Sequence, residues 1–195
     1  MEVKQISQGL VLHYPLDNNG SGNENLAKGA NTNNLNTNKW YVSSQTGGTS
    51  REIVLDNNIP CIKITRDNVE QSGWYVLYYS NLNASDIKTN TTYTISFDVK
   101  APVSGSITFN GIRFTNGLNH MNETNTIIQG EIVANQWSHI VLQCTTKSSF
   151  EDLSIGSQVI YMGVSTALRG IGIGIIFKNM KLEEGSKATP WCHNS

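Results

Sequence analysis

Charged residues are scarce in this chain, and their scarcity argues against one class of partner. They make up 15% of 195 residues, with a formal net charge of -1. A protein that binds nucleic acid normally shows Lys and Arg clustered on one surface, whereas the few cations here are scattered along the sequence. Nucleic acid is therefore not an expected partner.

Cysteines and long apolar runs are also few. Cys61, Cys144 and Cys192 are odd in number and widely separated, which argues against a disulfide framework and offers no metal-ligand spacing. We expect them to be small buried hydrophobic residues in a reducing compartment. No apolar run has the length of a membrane span, and no basic-then-apolar leader precedes a small-residue cleavage site. Membrane insertion is not expected, and export would use a route other than a signal peptide.

A strictly alternating segment gives the clearest structural signal. From Asn90 to Lys100, a turn is followed by apolar residues at every second position, namely Tyr93, Ile95, Phe97 and Val99. Residues two apart on a strand share a face, so this pattern is typical of a sheet with one buried and one hydrated face. Such a strand can pack a core with one side and offer polar groups to a ligand with the other.

Similar short segments recur along the chain, each bounded by Gly, Pro, Asn, Asp or Ser. The predicted strands are 52–55, 61–65, 74–79, 91–100, 106–115, 126–133, 137–146, 158–165, 170–177 and 178–183. Only Ser148 to Leu153 could make a helical turn. The alternating glycines of Gly170 to Gly174 are expected to keep one sheet face flat. Many short strands at regular spacing predict an all-β protein, an antiparallel sandwich of two stacked sheets.

The N-terminal part differs in composition from this β-rich part. Gly9 to Asp17 is a short apolar strand closed by Pro15 and a Gly/Asn turn signal, and the chain stays polar as far as Ser50. We interpret residues 1–23 as a linker or docking strand and residues 24–195 as one domain.

Several segments resemble carbohydrate-binding modules of the family four and nine type, in the same order along the chain. They are 25–29, 62–65, 72–75, 92–100, 136–138 and 177–183. The ending Leu182 to Trp191 resembles the terminus of many tail-associated structural proteins of phages and prophages of Gram-positive bacteria. Gly9 to Asp17 resembles a linker strand that introduces lectin-like modules in such proteins.

The resemblance implies a jelly-roll sandwich on a phage tail or baseplate that binds cell-surface polysaccharide or oligosaccharide. Its partners would include other phage tail proteins. A tail protein of this kind is made in the host cytoplasm and reaches the exterior by lysis, which fits a chain with no leader and unpaired cysteines. The start at Met1 suggests one module of a longer polypeptide, or a separately translated copy of its end.

Sugars present C–H patches and rings of hydroxyls, so a glycan site needs flat aromatic platforms flanked by hydrogen-bonding groups. The densest aromatic segment is 74–79. Alternation places Trp74 and Tyr78 on one face and Tyr75 and Tyr79 on the other. Trp74 and Tyr78 are candidate binding residues, with core packing of each ring as the alternative. This strand alone does not decide which face is hydrated.

A second candidate lies between 110 and 122. Arg113 interrupts an apolar strand, and its guanidinium beside Asn116 is a suitable donor set for sugar hydroxyls. Arg113 could equally form an ion pair with Asp98 on a neighbouring strand, and Asp98 is itself a candidate binding residue. His120 follows in the loop, where a solvated role is the alternative.

Two further aromatic positions complete the candidate set. Trp40 and Tyr41 follow the Asn-rich stretch, where they either line the rim of a site or anchor a loop. Trp137 begins a strand at a position that this family fills for packing, so it is left out of the site.

The resemblance also implies a structural calcium near the first and last strands. Glu24, Asn25, Asp56 and Glu183 are the conceivable oxygen donors. Calcium takes six to eight oxygens with concentrated carboxylate charge. Carboxylate density here is low, and Asn179 stands where relatives often have Asp, so the donor set is weak.

Catalysis is not expected from the sequence. Glycoside hydrolysis needs two facing carboxylates, and the central acids are not paired by any pattern. The sequence contains no Gly-x-Ser-x-Gly elbow. Two hypotheses remain: a weak polysaccharide-binding module that acts in many copies, or a structural spacer or homo-oligomerisation module of the tail, which would expose a contiguous apolar patch.

Overall fold

The computed structural model describes residues 26, 40–42, 49–66, 76–82, 87–114, 128–149 and 158–189. For residues 40–42, 49, 76–82, 110–114, 128–129 and 158–161 the description covers the backbone only. The predicted strand Gly9–Asp17, the predicted linker 1–23, Trp191 and Cys192 lie outside these ranges. Among the described residues, no helix is long and apolar enough to cross a membrane.

Within the described ranges, ten strands form two five-stranded antiparallel sheets. In chain order they are β1 (Trp40–Val42), β2 (Thr49–Asp56), β3 (Ile59–Arg66), β4 (Val76–Leu82), β5 (Thr92–Lys100), β6 (Gly105–Phe114), β7 (Ile128–Ile132), β8 (Ser138–Thr145), β9 (Gln158–Val164) and β10 (Gly174–Glu184). The first sheet has the order β1-β4-β9-β6-β7, and the second has the order β2-β3-β10-β5-β8. The predicted all-β sandwich of jelly-roll type is confirmed.

The core lies between the two sheets and is built from the alternating residues. On β5 the side chains of Tyr93, Ile95, Phe97 and Val99 are all fully buried, as the sequence pattern predicts. Phe97 contacts Phe177 of β10 with ring centroids 5.9 Å apart and planes tilted by 53°. The tilted arrangement is one that aromatic pairs prefer. The first sheet contributes the buried residues Ile107, Phe109, Ile132, Met162 and Val164.

Asparagines shape several of the turns. Asn57 and Asn58 join β2 to β3 with φ of 51° and 65°. Two consecutive left-handed residues make the tight hairpin turn that matches the twist of the strands, and Asn tolerates this conformation better than most residues. Asn90 and Asn135 also have positive φ before β5 and β8. Asparagine therefore allows the left-handed backbone conformation that these turns require.

The segment before β10 differs from the prediction. The sequence predicts two strands, Gly170–Phe177 and Lys178–Glu183, whereas the structure has a turn followed by one continuous strand. A 3-10 helix, Thr166–Arg169, precedes this turn. Gly172 has a φ of 72°, which favours glycine and ends the alternation. The prediction of a flat glycine face is therefore wrong at Gly172, whereas at Gly174 of β10 the side chain of Lys63 packs so closely that a Cβ would lie 2.5 Å from its Cε.

Two smaller predictions also need comment. The short edge strand β1 lies where the sequence predicted rim or loop residues. The predicted helical turn Ser148–Leu153 is not helical at residues 148–149, and its remaining residues lie outside the described part of the chain.

Candidate functional site

A row of tyrosine positions crosses the first sheet from strand to strand. Tyr161 of β9 is the Cα partner of Tyr78 on β4, and Tyr78 is the partner of Tyr41 on β1. On the other side of β9, Tyr161 pairs with Gly111 of β6. Neighbouring strands are about 4.8 Å apart, so the three positions span about 10 Å of sheet. We call Tyr41, Tyr78 and Tyr161 the tyrosine row.

Buried neighbours show which face carries the tyrosine row. Met162, next to Tyr161, is fully buried, and its partner Phe109 on β6 is buried as well. Because successive strand residues alternate between faces, the position of Tyr161 belongs to the face directed away from the core. On that same face, Thr108 is half-buried and Glu131 is exposed. The row therefore lies on the outer face of the first sheet.

Arg113 occupies the same face, one step further along β6. Its Cα partner is Val159, which lies two residues from Tyr161 on β9. Residues two apart on a strand share a face. The backbone register thus brings three predicted binding residues, Tyr41, Tyr78 and Arg113, to one face of one sheet.

Tyr161 is not among the residues that the sequence predicted for the site. It lies in a segment that the sequence does predict as a strand, Gln158–Ser165, so an aromatic residue on this strand is evident from the sequence. The missing information is the register, because only pairing with Tyr78 shows that the two residues share a face. Tyr161 could have been found by listing the aromatic residues that alternation places on the same face of several predicted strands.

The predicted aromatic pair Trp40 and Tyr41 is divided between two faces. Trp40 pairs with Tyr79, and Tyr79 pairs with Ile160. These positions alternate with the tyrosine row and so lie on the face directed toward the core. Trp74, Asn116 and His120 lie outside the described residues and stay predictions.

Asp98 lies on β5 of the second sheet. Phe97 and Val99 on either side are fully buried, so Asp98 lies on the outer face of that sheet. The alternative of an ion pair between Arg113 and Asp98 on neighbouring strands is wrong, because β5 and β6 belong to different sheets. For the same reason Asp98 does not join the face that carries Arg113.

Asp98 is instead held by two side chains of its own sheet. The amide Nδ2 of Asn179 donates a hydrogen bond of 2.7 Å to Oδ2 of Asp98. The Nδ1 of His139 lies 2.7 Å from Oδ1. Asn179 has a φ of 55° and lies in a bulge of β10, where the register with β5 shifts. Bulges commonly redirect a side chain, and this one turns the amide of Asn179 toward Asp98.

Trp137 forms the centre of a second polar group on the same sheet. Its indole N–H donates a 3.0 Å hydrogen bond to Oδ2 of Asp56. The ammonium of Lys178 lies 3.8 Å from the ring centroid and 3.8 Å from Asp56, and Lys100 lies 3.5 Å from the other carboxylate oxygen. We call Trp137, Asp56, Lys178 and Lys100 the Trp137 cluster. Because these groups bond to one another, the cluster stabilises the sheet, in line with the packing role predicted for Trp137.

The Trp137 cluster also shifts the acidity of Asp56. The indole hydrogen bond lowers the pKa of Asp56 from its ordinary value, and the nearby charges of Lys100 and Lys178 lower it further. Partial burial acts in the opposite direction but is the weaker effect overall. Asp56 is therefore held in its ionised form by its neighbours.

Two of the four predicted calcium donors, Asp56 and Glu183, lie in the described structure, and each is engaged by other side chains. Asp56 belongs to the Trp137 cluster, whereas both oxygens of Glu183 accept hydrogen bonds from Thr189 and one lies 3.1 Å from the ammonium of Lys181. Glu24 and Asn25 lie outside the described residues. Among the described residues, no three His, Cys, Asp or Glu side chains are grouped so that they could hold a metal ion.

Two of the three cysteines lie in the described structure, and both are free and buried. Burial raises the pKa of Cys144 to about 12 and also raises the pKa of Cys61. A thiol with a raised pKa is a poor nucleophile at neutral pH. The predicted burial of these two residues is confirmed.

The sequence matches no protein-family model and no curated protein. Solved structures share its fold at low identity. The CBM22-1 xylan-binding domain of Paenibacillus barcinonensis Xyn10C is 14% identical, with a TM-score of 0.52 over 84% of this chain and 93% of that domain. The enzymatically active domain of bacteriophage CBA120 tailspike protein 4 is 13% identical, with a TM-score of 0.51 over 82% of this chain and 21% of that one.

A third similar structure is the arabinose-bound α-L-arabinofuranosidase MgGH51, 18% identical with a TM-score of 0.53. The match covers 75% of this chain and 23% of the enzyme. The chain thus spans less than a quarter of the enzyme and of the tailspike domain, but nearly all of the xylan-binding domain. These likenesses establish the fold: the chain is a two-sheet β-sandwich of the kind found in carbohydrate-binding modules.

Proposed function

We propose that this chain is a non-catalytic carbohydrate-binding module of a phage tail or baseplate protein, which attaches to cell-surface polysaccharide. The observation that carries the proposal is the outer face of the first sheet, where the register aligns Tyr41, Tyr78 and Tyr161 and adds Arg113. Aromatic rings offer flat surfaces for the C–H patches of sugars, and a guanidinium donates hydrogen bonds to hydroxyls.

The charge of the protein supports a neutral saccharide as the ligand. The net charge is -1 with 15% charged residues. The overall charge of the protein therefore does not attract polyanions over long distances. The proposed face relies on ring contact and hydrogen bonds, which suit hydroxyl-rich ligands. The similar xylan-binding domain supports a polysaccharide ligand for this fold.

Non-catalytic action is supported by the state of two described acids, Asp98 and Asp56. Asp98 is bonded to Asn179 and His139, and Asp56 is bonded within the Trp137 cluster. Glycoside hydrolysis needs a carboxylic acid with a raised pKa facing a second carboxylate, whereas the pKa of Asp56 is lowered.

Attachment to a phage tail is supported by the ending 182–191 and by the fold similarity to a bacteriophage tailspike domain. On a virion, many copies of a weak site act together, because each bound copy raises the effective concentration of the next. We place the working protein on the virion tail or baseplate, after synthesis in the host cytoplasm.

The decisive experiment is a glycan array, followed by binding of the full chain to purified cell-wall polysaccharide. Tyr78→Ala and Tyr161→Ala should each weaken binding by about ten-fold, the loss of one ring contact. His139→Ala serves as the control, because His139 is an exposed residue of the other sheet. Equal affinity of all four proteins, or no glycan bound by the unchanged chain, would reject the proposal.

A second candidate function is a spacer or homo-oligomerisation module. It is favoured by an exposed apolar group on the β2–β3 edge hairpin, where Ile53, Leu55 and Ile59 are 50%, 68% and 40% exposed. Exposed apolar patches often mark protein contacts. Light scattering on the unchanged chain and on Leu55→Lys distinguishes the two functions: an oligomer that Leu55→Lys dissociates, with no glycan bound, supports the spacer.

A further inference from the structure

The end of β10 contains a buried ion pair that the proposed function does not use. The side chain of Glu183 has no exposure, and that of Lys181 is 5% exposed. The ammonium of Lys181 lies 3.1 Å from Oε2 of Glu183. Burying two charges is costly unless their remaining hydrogen-bonding capacity is satisfied. The surroundings of this pair are therefore informative.

Thr189 satisfies both oxygens of the buried carboxylate. Its backbone N–H donates a 2.7 Å hydrogen bond to Oε1 of Glu183, and its hydroxyl donates a 2.6 Å bond to Oε2. The ammonium of Lys181 also donates to the hydroxyl oxygen of Thr189. Three groups thus form a closed network in which each charge has a partner and each carboxylate oxygen has a donor.

The network lies beside a backbone contact between residue 26 and the last strand. The N–H of Leu26 donates a 2.8 Å hydrogen bond to the carbonyl of Leu182. The segment after β10 lies against the start of β5. The N–H of Gly185 donates a hydrogen bond to the carbonyl of Thr92, and the carbonyl of Gly185 accepts one from the hydroxyl of Thr94. The network therefore joins the last strand to the segment after it, next to the backbone contact that Leu26 makes with Leu182.

We propose that the ammonium of Lys181 is the cation that neutralises Glu183, and that the fold is stable at this position without a divalent metal. Glu183 is one of the four predicted oxygen donors for a structural calcium, and it lies on the last strand. Calcium needs six to eight oxygens, and both oxygens of Glu183 already accept hydrogen bonds. An ammonium 3.1 Å away would also repel a second cation. This inference concerns folding, so it does not depend on whether the chain binds a saccharide.

The charge network can be tested by thermal unfolding of the full chain. Lys181→Met keeps the length of the side chain but leaves a buried carboxylate without a cation, and we expect Tm to fall by about 10 °C. Lys181→Met combined with Glu183→Gln removes both charges, and the Gln can still bond to Thr189. This double variant should regain most of the lost Tm, because replacing both ions of a buried pair is often close to neutral.

Two controls complete the test. Lys88→Met removes an ion pair with Glu184 in which Lys88 is 63% exposed, and it should leave Tm within about 2 °C of the unchanged chain. Excess EDTA and millimolar calcium chloride should give the unchanged chain the same Tm within about 1 °C. A Tm that EDTA lowers and calcium restores would overturn the proposal. It would also be overturned if Lys181→Met were as stable as the unchanged chain, or if the double variant were no more stable than the single one.

Discussion

The two sheets of the sandwich carry different residues at the positions of their outer faces. On the second sheet, polar side chains bond to one another, as Asp98 does to His139 and Asn179. On the first sheet, the outer face carries the tyrosine row. A ligand on the second sheet must displace internal hydrogen bonds, whereas a ring binds by contact without that loss. The outer face of the second sheet is therefore suited to stabilising the fold, and the outer face of the first sheet is suited to binding a ligand.

The same contrast exists within one strand. Tyr78 and Tyr79 are adjacent on β4 but belong to opposite faces, because Tyr78 pairs with Tyr161 and Tyr79 pairs with Ile160. Two neighbouring residues of the same type therefore make a matched pair. Substituting each in turn separates the contribution of the core from the contribution of the outer face.

The largest effect should come from Tyr79→Ala. We expect it to lower the free energy of unfolding by about 3 kcal/mol, the usual cost of removing an aromatic side chain at a position on the core face of a sheet. Tyr78→Ala should change stability by less than about 1 kcal/mol, as is usual for an outer-face residue. Urea unfolding followed by circular dichroism measures both. Equal losses at the two positions would show that the faces do not differ in burial.

The next largest effect should come from Trp137→Ala, with a loss of about 2 kcal/mol of stability, since it removes a half-buried ring and the donor to Asp56. Trp137→Phe keeps a ring beneath the ammonium of Lys178 and should lose less. Saccharide affinity should be unchanged in both variants. Urea unfolding and a binding isotherm on the same samples check this, and weakened binding would assign the second sheet a role in recognition.

An effect of similar size is expected at Asn179. Asn179→Ala removes the hydrogen bond to Asp98 and places a side chain with a Cβ but no local hydrogen bond at a φ of 55°. Together these should cost about 2 kcal/mol of stability. Asn179→Gly loses the hydrogen bond but tolerates the backbone conformation, so its loss should be nearer 1 kcal/mol. Identical unfolding midpoints for the two variants in urea would contradict a role for the left-handed conformation.

The sequence predicts the sheets well because alternation is a local property. The buried set Tyr93, Ile95, Phe97 and Val99 follows directly from the pattern. Local patterns do not fix which strands are neighbours, and the pairing of Tyr161 with Tyr78 joins residues more than eighty positions apart. The predicted grouping of Arg113 with Asp98 failed for this reason, since membership of a sheet is decided by long-range pairing.

The segment before β10 shows a second limit. Alternating glycines at 170, 172 and 174 look like a strand, but Gly172 adopts a positive φ and its N–H donates to the carbonyl of Arg66. Glycine permits both conformations, so its spacing alone does not distinguish them. The buried pair of Lys181 and Glu183 was similarly hidden, because two charged residues in a strand ordinarily indicate an exposed face.

The smallest predicted effect is a pH dependence that belongs to the second sheet alone. The folded-state pKa of Asp56 is lowered, chiefly by the Trp137 hydrogen bond, so its contribution to stability is present above the unfolded value of about 3.9 and is lost as the pH falls through the folded value. Unfolding midpoints measured from neutral pH into this acidic range should fall less steeply for Asp56→Asn than for the unchanged chain. Tyr78→Ala changes only the first sheet and should keep the steeper slope. Parallel slopes for all three proteins would mean that the Trp137 cluster does not stabilise the ionised carboxylate.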